Sequence, residues 1–363
     1  MRVLFCGGGT AGHITPALAL AEEFKKRYRD LSIAFVGRKG GNENNLITAQ
    51  GYQLYEINVR GFSRSLSIDN FKTVKAYFTA KRDARKIIDE FLPDAVIGTG
   101  GYVSAPVISE AAKKRIFTVI HESNASVGFA TKLLAGRCDY LLLGANIKTR
   151  FKNAKFVGIP VSERFGAISK ASARKRLGIP TDKKLIVSVG GSIGAKKLNE
   201  CVAQMMKSFV SKSSEIYHIH SCGKRYYDEL KSSFPELCTG NRNAEIIPFI
   251  DDMPLYLSAA DLLICRCGAM TLAEAARSGC PTVMIPSPNV TGNHQMKNAL
   301  EYQNAGAGII IEESNLTAEI LQESTETLFK TPGLLEEMGK RAESFYSKNP
   351  KEAIIGIIEA NLN

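Results

Sequence analysis

Short β-branched and aliphatic runs alternate along the whole chain with amphipathic stretches, a pattern that predicts βαβ units whose parallel sheets are covered by helices. In residues 1–160 the strand candidates are Arg2–Phe5, Ile33–Val36, Ala95–Gly98, Thr118–Ile120 and Tyr140–Leu143. Helical stretches such as Ala17–Tyr28 and Phe71–Phe91 lie between them. In residues 161–345 the candidates are Leu185–Val189, Ile216–His220, Glu245–Pro248, Leu262–Cys265 and Thr282–Ile285, with helices such as Ala195–Val210 and Leu272–Ser278.

A Gly/Pro break at Gly158-Ile159-Pro160 separates the two halves. The expected division is 1–160, 161–345, and a terminal helix within 346–363 (Lys351–Leu362) that either returns to the first half or packs elsewhere. The halves echo each other. The first strand of one ends in Gly7-Gly8-Gly9-Thr10-Ala11-Gly12, that of the other in Gly190-Gly191-Ser192-Ile193-Gly194-Ala195. Two Rossmann-like domains facing across a cleft would put both turns at the carboxyl ends of their sheets, where such folds bind ligands.

Composition adds further constraints. At 363 residues, 44% apolar and 23% charged, the chain suits two globular domains of about 180 residues each. No run approaches the about 18 to 20 apolar residues of a spanning helix. The opening MRVLFCGGGT is a strand entering a glycine turn, unlike a signal peptide, which predicts a cytoplasmic protein. Eight scattered cysteines and five histidines lack zinc-site spacing; the C-x-C of Cys265 and Cys267 falls in an apparent buried strand, so these thiols read as small hydrophobes. Charge is more telling. Residues 1–160 carry 24 Lys/Arg against 13 Asp/Glu, whereas residues 161–363 carry 23 of each. The basic half therefore meets an anion (nucleic acid, a membrane surface or a phosphorylated substrate) or is simply solvated.

A glycine turn entering a helix offers bare N–H groups and a positive dipole end to an anion. Gly7–Gly12 is neither a P-loop nor a good dinucleotide fingerprint: no G-K-[ST] follows, and Val36-Gly37-Arg38 stands where an acidic residue would end strand two. His13 follows the turn directly, with Pro16 suited to a helix start. An imidazole there would be kept neutral by the dipole and serve as a base, or merely cap the helix. A second glycine turn runs Thr99-Gly100-Gly101-Tyr102-Val103-Ser104. Ile120-His121-Glu122-Ser123-Asn124 ends a strand in polar side chains that are ligand contacts or a closed hydrogen-bond knot.

In the second half, Cys265–Glu274 reads as strand, turn and helix start. The Ala269–Thr271 backbone could wrap a diphosphate, with Glu274 in the first helical turn either accepting ribose hydroxyls or complementing the dipole. The loop from Pro286 ends in Asn293-His294-Gln295. Nothing suggests a glycosidase carboxylate pair or a G-x-S-x-G elbow.

The ordered spellings G-G-G-T-A-G-H-x-x-P-A-L-A, G-T-G-G-Y-V-S, H-E-S-N, G-G-S-I-G-A, C-R-C-G-A-M-T-L-A-E and N-H-Q-M-K-N-A cover nearly the whole chain. They resemble the MurG family, peptidoglycan GlcNAc transferases that make lipid II from lipid I. The resemblance implies an α/β GT-B fold, an inverting transfer, a UDP-GlcNAc donor, a lipid I acceptor and the cytoplasmic membrane face. By the same resemblance Thr10, Ala11, Gly12 and Asn124 match donor contacts, and Ser192 matches the serine of the second-domain turn. Ile250 matches the residue whose backbone reads uracil. Ala269, Met270, Thr271, Leu272, Ala273 and Glu274 match the diphosphate and ribose loop, and Gln295 matches the glutamine on the sugar hydroxyls. The sequence departs from the family at Ala11, usually Gly; at Ser123, usually Gln; and at Cys267, usually Ser. Ile159 replaces the hinge Asn, and the nearest arginine is Arg164, which is not carried over. Ala11 requires a negative φ.

The expected mechanism has the acceptor C4 hydroxyl attack C1 of GlcNAc, with His13 taking the proton directly or through water. N–H groups at Ser192 and Ala269–Thr271 stabilise the leaving UDP, so neither metal nor cofactor is invoked. Gly100, Gly101, Tyr102, Ser104 and Glu122 are expected on the acceptor side, where its diphosphate meets the basic half. Arg60–Lys86 carries Arg60, Arg64, Lys72, Lys75, Lys81, Arg82, Arg85 and Lys86 against Asp69 and Asp83, interleaved with Phe62, Leu66, Ile68, Phe71, Tyr77 and Phe78. This stretch reads as a surface for anionic lipid, the alternative being that Phe71 and Phe78 face the core. The rivals are another GT-B UDP-sugar enzyme, a UDP-GlcNAc epimerase, and a nucleic-acid binder; against the last stands the lack of an aromatic stacking platform.

Overall fold

The computed structural model describes residues 1–41, 44–60, 69–239, 243–346 and 349–362, with the backbone alone at 69–75 and at Thr291. Phe62, Arg64, Leu66 and Ile68, and the side chains of Asp69, Phe71, Lys72 and Lys75, therefore lie outside the described residues. Two compact units result: Met1–Ser162 with Ser347–Asn363, and Glu163–Tyr346.

Unit 1 runs β1 (Arg2–Cys6), α1 (Thr15–Arg27), β2 (Ser32–Arg38), α2 (Asn44–Thr48), β3 (Gln53–Ile57) and α3 (Asp69–Phe91). It continues through β4 (Ala95–Gly98), α4 (Gly101–Lys113), β5 (Phe117–Glu122), α5 (Phe129–Leu134), β6 (Tyr140–Leu143) and β7 (Ala154–Phe156). The sheet order is β3-β2-β1-β4-β5-β6-β7 with every pair parallel. Alternate side chains face opposite ways, as a strand requires. Leu4, Cys6, Val36, Val96, Ile120 and Leu143 share a core with α3, α4 and α5. Val3, Phe5, Phe35, Ile97, Val119 and Leu142 share the other with α1. The chain leaves β1 toward β2 and leaves β4 toward β5, on opposite sides, so the carboxyl ends of β1 and β4 form the switch point of the sheet.

Unit 2 repeats the scheme with α6 (Lys170–Leu177), β8 (Lys184–Val189), α7 (Lys196–Ser208), β9 (Ile216–Ser221), α8 (Lys224–Ser233), β10 (Ala244–Ile247), α9 (Met253–Ala259) and β11 (Leu262–Cys265). There follow α10 (Ala269–Arg277), β12 (Thr282–Met284), α11 (His294–Asn304), β13 (Gly308–Ile310), α12 (Ala318–Lys330) and α13 (Leu334–Phe345). Its parallel order β10-β9-β8-β11-β12-β13 puts the switch point at the ends of β8 and β11. The chain then returns to unit 1 as α14 (Pro350–Leu362). There Ile354, Ile355 and Ile358 complete the core under α1, and Lys351 Nζ meets Glu23 at 3.0 Å.

Three strands go beyond those expected: β3, β7 and β13. All three are sheet edges; β3 and β7 mix polar with apolar residues, and β13 is only three residues long. Two expectations are corrected. Strand β11 ends at Cys265, so Cys267 is buried in the turn beyond it. Helix α10 starts at Ala269, which moves Glu274 from the first helical turn to the second. All eight cysteines are free, and burial pushes the thiol of Cys6 up to about 12. Among the described residues no helix is long and apolar enough to cross a membrane, and no group of His, Cys, Asp and Glu is arranged to hold a metal ion.

Candidate active site

At the switch point of unit 2, two glycine-bearing turns feed two helices. The turn after β8 is forced by close packing. Gly194 has φ +83°, and a Cβ there would lie 2.1 Å from the Cys222 carbonyl oxygen. That carbonyl is fixed in turn by Asn199 of α7, whose Nδ2 donates to it at 2.8 Å. Asn199 Oδ1 meets His220 Nε2 at 3.1 Å, and His220 Nδ1 meets Ser188 Oγ at 2.8 Å. The chain is fully buried, and burial pushes the His220 imidazole down to about 4, so it is neutral and rigid near pH 7. Ser192 stands exposed at the tip of the turn.

The turn after β11 is held by α11. Gln295 Oε1 accepts from the Cys267 N–H at 3.2 Å and the Ser287 N–H at 2.8 Å, while Asn298 Nδ2 donates to the Cys267 carbonyl at 3.1 Å. The two side chains lie three residues apart on one helix face and clasp both ends of the Cys267 residue. Asn298 was missed as a site residue; its spacing from Gln295 was the available signal. With its thiol fully buried and its main chain clasped, Cys267 needs no hydroxyl to keep this loop in place.

The first intrahelical bond of α10 is Leu272 N–H to Gly268 O at 3.1 Å, and no side chain caps its N-terminus. The N–H groups of Ala269, Met270 and Thr271 are thereby presented to an anion. Met270, Leu272 and Ala273 bury their side chains, so only their backbone faces a ligand. Glu274 is half-buried with no hydrogen-bonding or ionic partner for its carboxyl among the described residues. Burial pushes that carboxyl up to about 8. Ile250 is buried, and neither its N–H nor its carbonyl is hydrogen-bonded among the described residues. Two residues on, Asp252 caps α9 and pairs with Arg164 at 2.9 Å.

At the switch point of unit 1 the Gly7–Gly12 and Thr99–Ser104 turns touch. A Cβ on Gly101 would lie 2.0 Å from the Gly8 carbonyl oxygen and 3.0 Å from His13 Nδ1. Thr99 Oγ1 donates to the His13 carbonyl at 2.5 Å. His13 Nδ1 lies 3.1 Å from the Gly8 carbonyl and 3.3 Å from Thr10 Oγ1. A carbonyl only accepts, so Nδ1 carries the proton in that contact and Nε2 is the basic atom of the neutral ring. Ala11 lies in a short 3₁₀ turn with φ negative, which meets the condition its side chain imposes.

Ser104 and Glu122 are occupied by the fold. Ser104 Oγ lies 2.8 Å from both the Cys6 and the Gly100 carbonyl, its single proton shared between them. The Glu122 carboxylate accepts from Asn124 N–H at 3.2 Å, Asn124 Nδ2 at 3.0 Å, Gly128 N–H at 2.9 Å and Thr131 Oγ1 at 2.9 Å. Buried His121 bonds the Gly158 carbonyl at 2.9 Å and Ser123 at 3.3 Å. The end of β5 is thus a knot that orients Asn124. Tyr102 packs its ring against Gly9.

Helix α3 turns Ala80, Ala84, Ile87, Ile88 and Phe91 to the core, while Phe78 is 66% exposed. Phe78 thus does not take the core position that was the alternative for this stretch. Lys81 and Arg85 are not wholly free cations. With Lys113 they surround the buried Glu110 at 3.1, 2.9 and 3.3 Å. Burial pushes that carboxyl up, but the three cations outweigh it and hold it down at about 2.

Two doubly wound domains, each with anion-ready turns at its switch point, define the GT-B fold. Residues 3–142 match the glycosyltransferase family 28 N-terminal domain and residues 185–354 the family's C-terminal domain. A protein of Acetivibrio thermocellus named UDP-N-acetylglucosamine–N-acetylmuramyl-(pentapeptide) pyrophosphoryl-undecaprenol N-acetylglucosamine transferase is 40% identical over 99% of this chain and 98% of its own. The crystal structure of Acinetobacter baumannii MurG superposes with a TM-score of 0.74 at 28% identity, covering 99% of each chain. A putative UDP-N-acetylglucosamine 2-epimerase of Listeria monocytogenes, 13% identical with a TM-score of 0.71 over 100% of this chain and 96% of its own, shares the fold alone. The chain belongs to glycosyltransferase family 28, in its MurG branch.

Proposed function

We propose that this chain transfers GlcNAc from UDP-GlcNAc, with inversion, to the C4 hydroxyl of lipid-linked N-acetylmuramyl-pentapeptide, converting lipid I to lipid II. The observation that carries the donor half is Glu274. A half-buried carboxyl with no partner among the described residues, just beyond the bare N–H groups of α10, suits a ribose diol beside a diphosphate. Ile250 offers an unsatisfied peptide to a uracil edge, and Gln295, after spending its Oε1 on Cys267 and Ser287, keeps its NH₂ for a sugar hydroxyl. The names of full-length relatives supply the sugar and the acceptor. Unit 1, with the basic excess, takes the acceptor. As the C4 oxygen bonds to C1 and the C1–phosphate bond breaks, Nε2 of His13 receives the hydroxyl proton. The leaving UDP is met by N–H groups at Ser192 and Ala269–Thr271.

The same reading places unit 1 on the cytoplasmic face of the membrane, peripherally, through α3. Exposed Phe78 beside Arg82 and Lys86 supports that orientation. The test offers UDP-GlcNAc and UDP-glucose in competition to the enzyme with a lipid-linked acceptor. Lipid-linked disaccharide built from GlcNAc is the expected product. Equal use of both donors, or epimerised UDP-GlcNAc formed without acceptor, would reassign the enzyme to one of the rivals.

A further inference from the structure

The described part of α3 is not the most strongly basic part of unit 1. Between residues 123 and 160 the sole acidic residue is Asp139, against Lys132, Arg137, Lys148, Arg150, Lys152 and Lys155. Asp139 is already spent on the Thr118 N–H at 2.7 Å and hydroxyl at 2.9 Å. None of the six cations has an acidic partner among the described residues; Arg150 lies over the Phe151 ring and Lys155 over Tyr140. Large apolar side chains stand exposed among them: Phe129 at 65%, Leu133 at 59% and Phe156 at 50%.

Topology puts these apolar groups on one side. Helix α5 contributes Leu134 to the core it shares with α3 and α4, and the 144–153 crossover packs Ile147 and Phe151 into that same core. Phe156 pairs in parallel register with Leu143, which faces that core, so it points to the same side of the sheet. Phe129 and Leu133, four residues apart, share one face of α5. Helix α5 starts just beyond the carboxyl end of β5, so this face borders the edge of the sheet that carries His13 and Gly101.

From this arrangement we propose that α5 and the 144–153 crossover form a second membrane-contacting surface, on which Phe129 and Leu133 enter an anionic bilayer while Lys132, Lys148, Arg150 and Lys152 meet its headgroups. The inference rests on the peripheral-membrane reading given above and adds its seat beside the acceptor site. Solvated cations would serve a nucleic acid equally well, but aliphatic Leu133 on the same face as Phe129 offers nothing to a base and suits acyl chains.

The chain contains no tryptophan, so a single one is a site-specific reporter. Phe129→Trp and, as a control on α11, Leu300→Trp are titrated as full chains with vesicles of phosphatidylglycerol and phosphatidylethanolamine. The Phe129→Trp emission should shift to the blue and be quenched by brominated acyl chains, while Leu300→Trp stays unchanged. In the tryptophan-free parent, Lys148→Glu with Arg150→Glu and Lys152→Glu should lower vesicle partitioning by about tenfold or more, with UDP-GlcNAc binding retained as the check on folding. If the protein sediments with vesicles while the Phe129→Trp spectrum stays unshifted, the second surface is refuted and the α3 reading stands. A protein that does not sediment at all refutes both. A shift produced by single-stranded RNA and not by vesicles overturns the lipid assignment.

Discussion

The Cα of Gly101 sits so close to the carbonyl of Gly8 that even a methyl group would fall 2.0 Å from its oxygen. With φ at +76°, the position also disfavours any L side chain. Gly101→Ala should therefore push the two turns of unit 1 apart and displace His13. Turnover should fall by about 10²-fold or more, as a 1 Å misplacement of a reacting group can cost. UDP-GlcNAc affinity, carried mainly by unit 2, should fall far less than turnover. Calorimetric titration of the donor beside a turnover assay separates the two, and a variant with parental turnover would show that the turns tolerate separation.

Glu274→Ala should weaken UDP-GlcNAc binding by about 1.5–3 kcal/mol, the cost of losing hydrogen bonds to a charged group. The pH dependence is more specific. Its carboxyl titrates near 8 in the free protein because burial disfavours the charge. A ribose diol donating to it favours the ionised form, so binding releases a proton. Affinity should accordingly rise with pH up to about 8, by at most about tenfold per unit, and Glu274→Gln should flatten the slope. A flat profile in the parent would take Glu274 off the ligand.

The same shift has a stability corollary. The unfolded carboxyl ionises near its ordinary 4.5 while the folded one resists until about 8. The folded state is thus penalised progressively as pH climbs between those values. Glu274→Gln should leave the melting temperature unchanged below pH 4.5 and raise it increasingly toward pH 8 in the absence of donor. Scanning calorimetry across that range reads it directly.

His13→Ala should lower kcat by about 10²–10⁴-fold with donor Kd within a few-fold, as expected for a base. Parallel losses in rate and donor affinity would assign His13 to holding the Gly8 and Gly101 turns.

For α3, Arg82→Glu with Lys86→Glu and Phe78→Ser should weaken binding to anionic vesicles, and added salt should weaken the parent's binding, since exposed charges are screened over about 8–10 Å. Arg85 must be left alone. Reversing it would set a carboxylate against buried Glu110, and the resulting instability would masquerade as lost lipid affinity. Parental sedimentation by the triple variant would make this face of α3 a solvated one.

Strands buried on both faces announced themselves: β1, β4, β6, β8 and β11 are apolar runs ending at glycine or polar turns. Edge strands β3 and β7 did not, because polar residues such as Gln53, Glu56 and Lys155 interrupt their apolar pattern, and three-residue β13 is too short to stand out. Site residues set by backbone geometry, the glycine turns and the α10 start, were legible because only certain residues fit them. What Ser104 and Glu122 do was not, since their partners, the Cys6 carbonyl and the Gly128 and Thr131 donors, are neighbours only after folding. The spelling of the chain likewise gives no hint that Glu110 gathers Lys81, Arg85 and Lys113 from two helices.

Helix α14 supplies Ile354, Ile355 and Ile358 to a core whose other members precede residue 158. On the ribosome, the half that is synthesised first must therefore wait with one flank of its sheet unsealed until the whole of unit 2 has emerged. The second domain can finish folding before the first. A nascent chain stalled short of residue 350 would present that apolar flank to chaperones and proteases, and so would a protein clipped there.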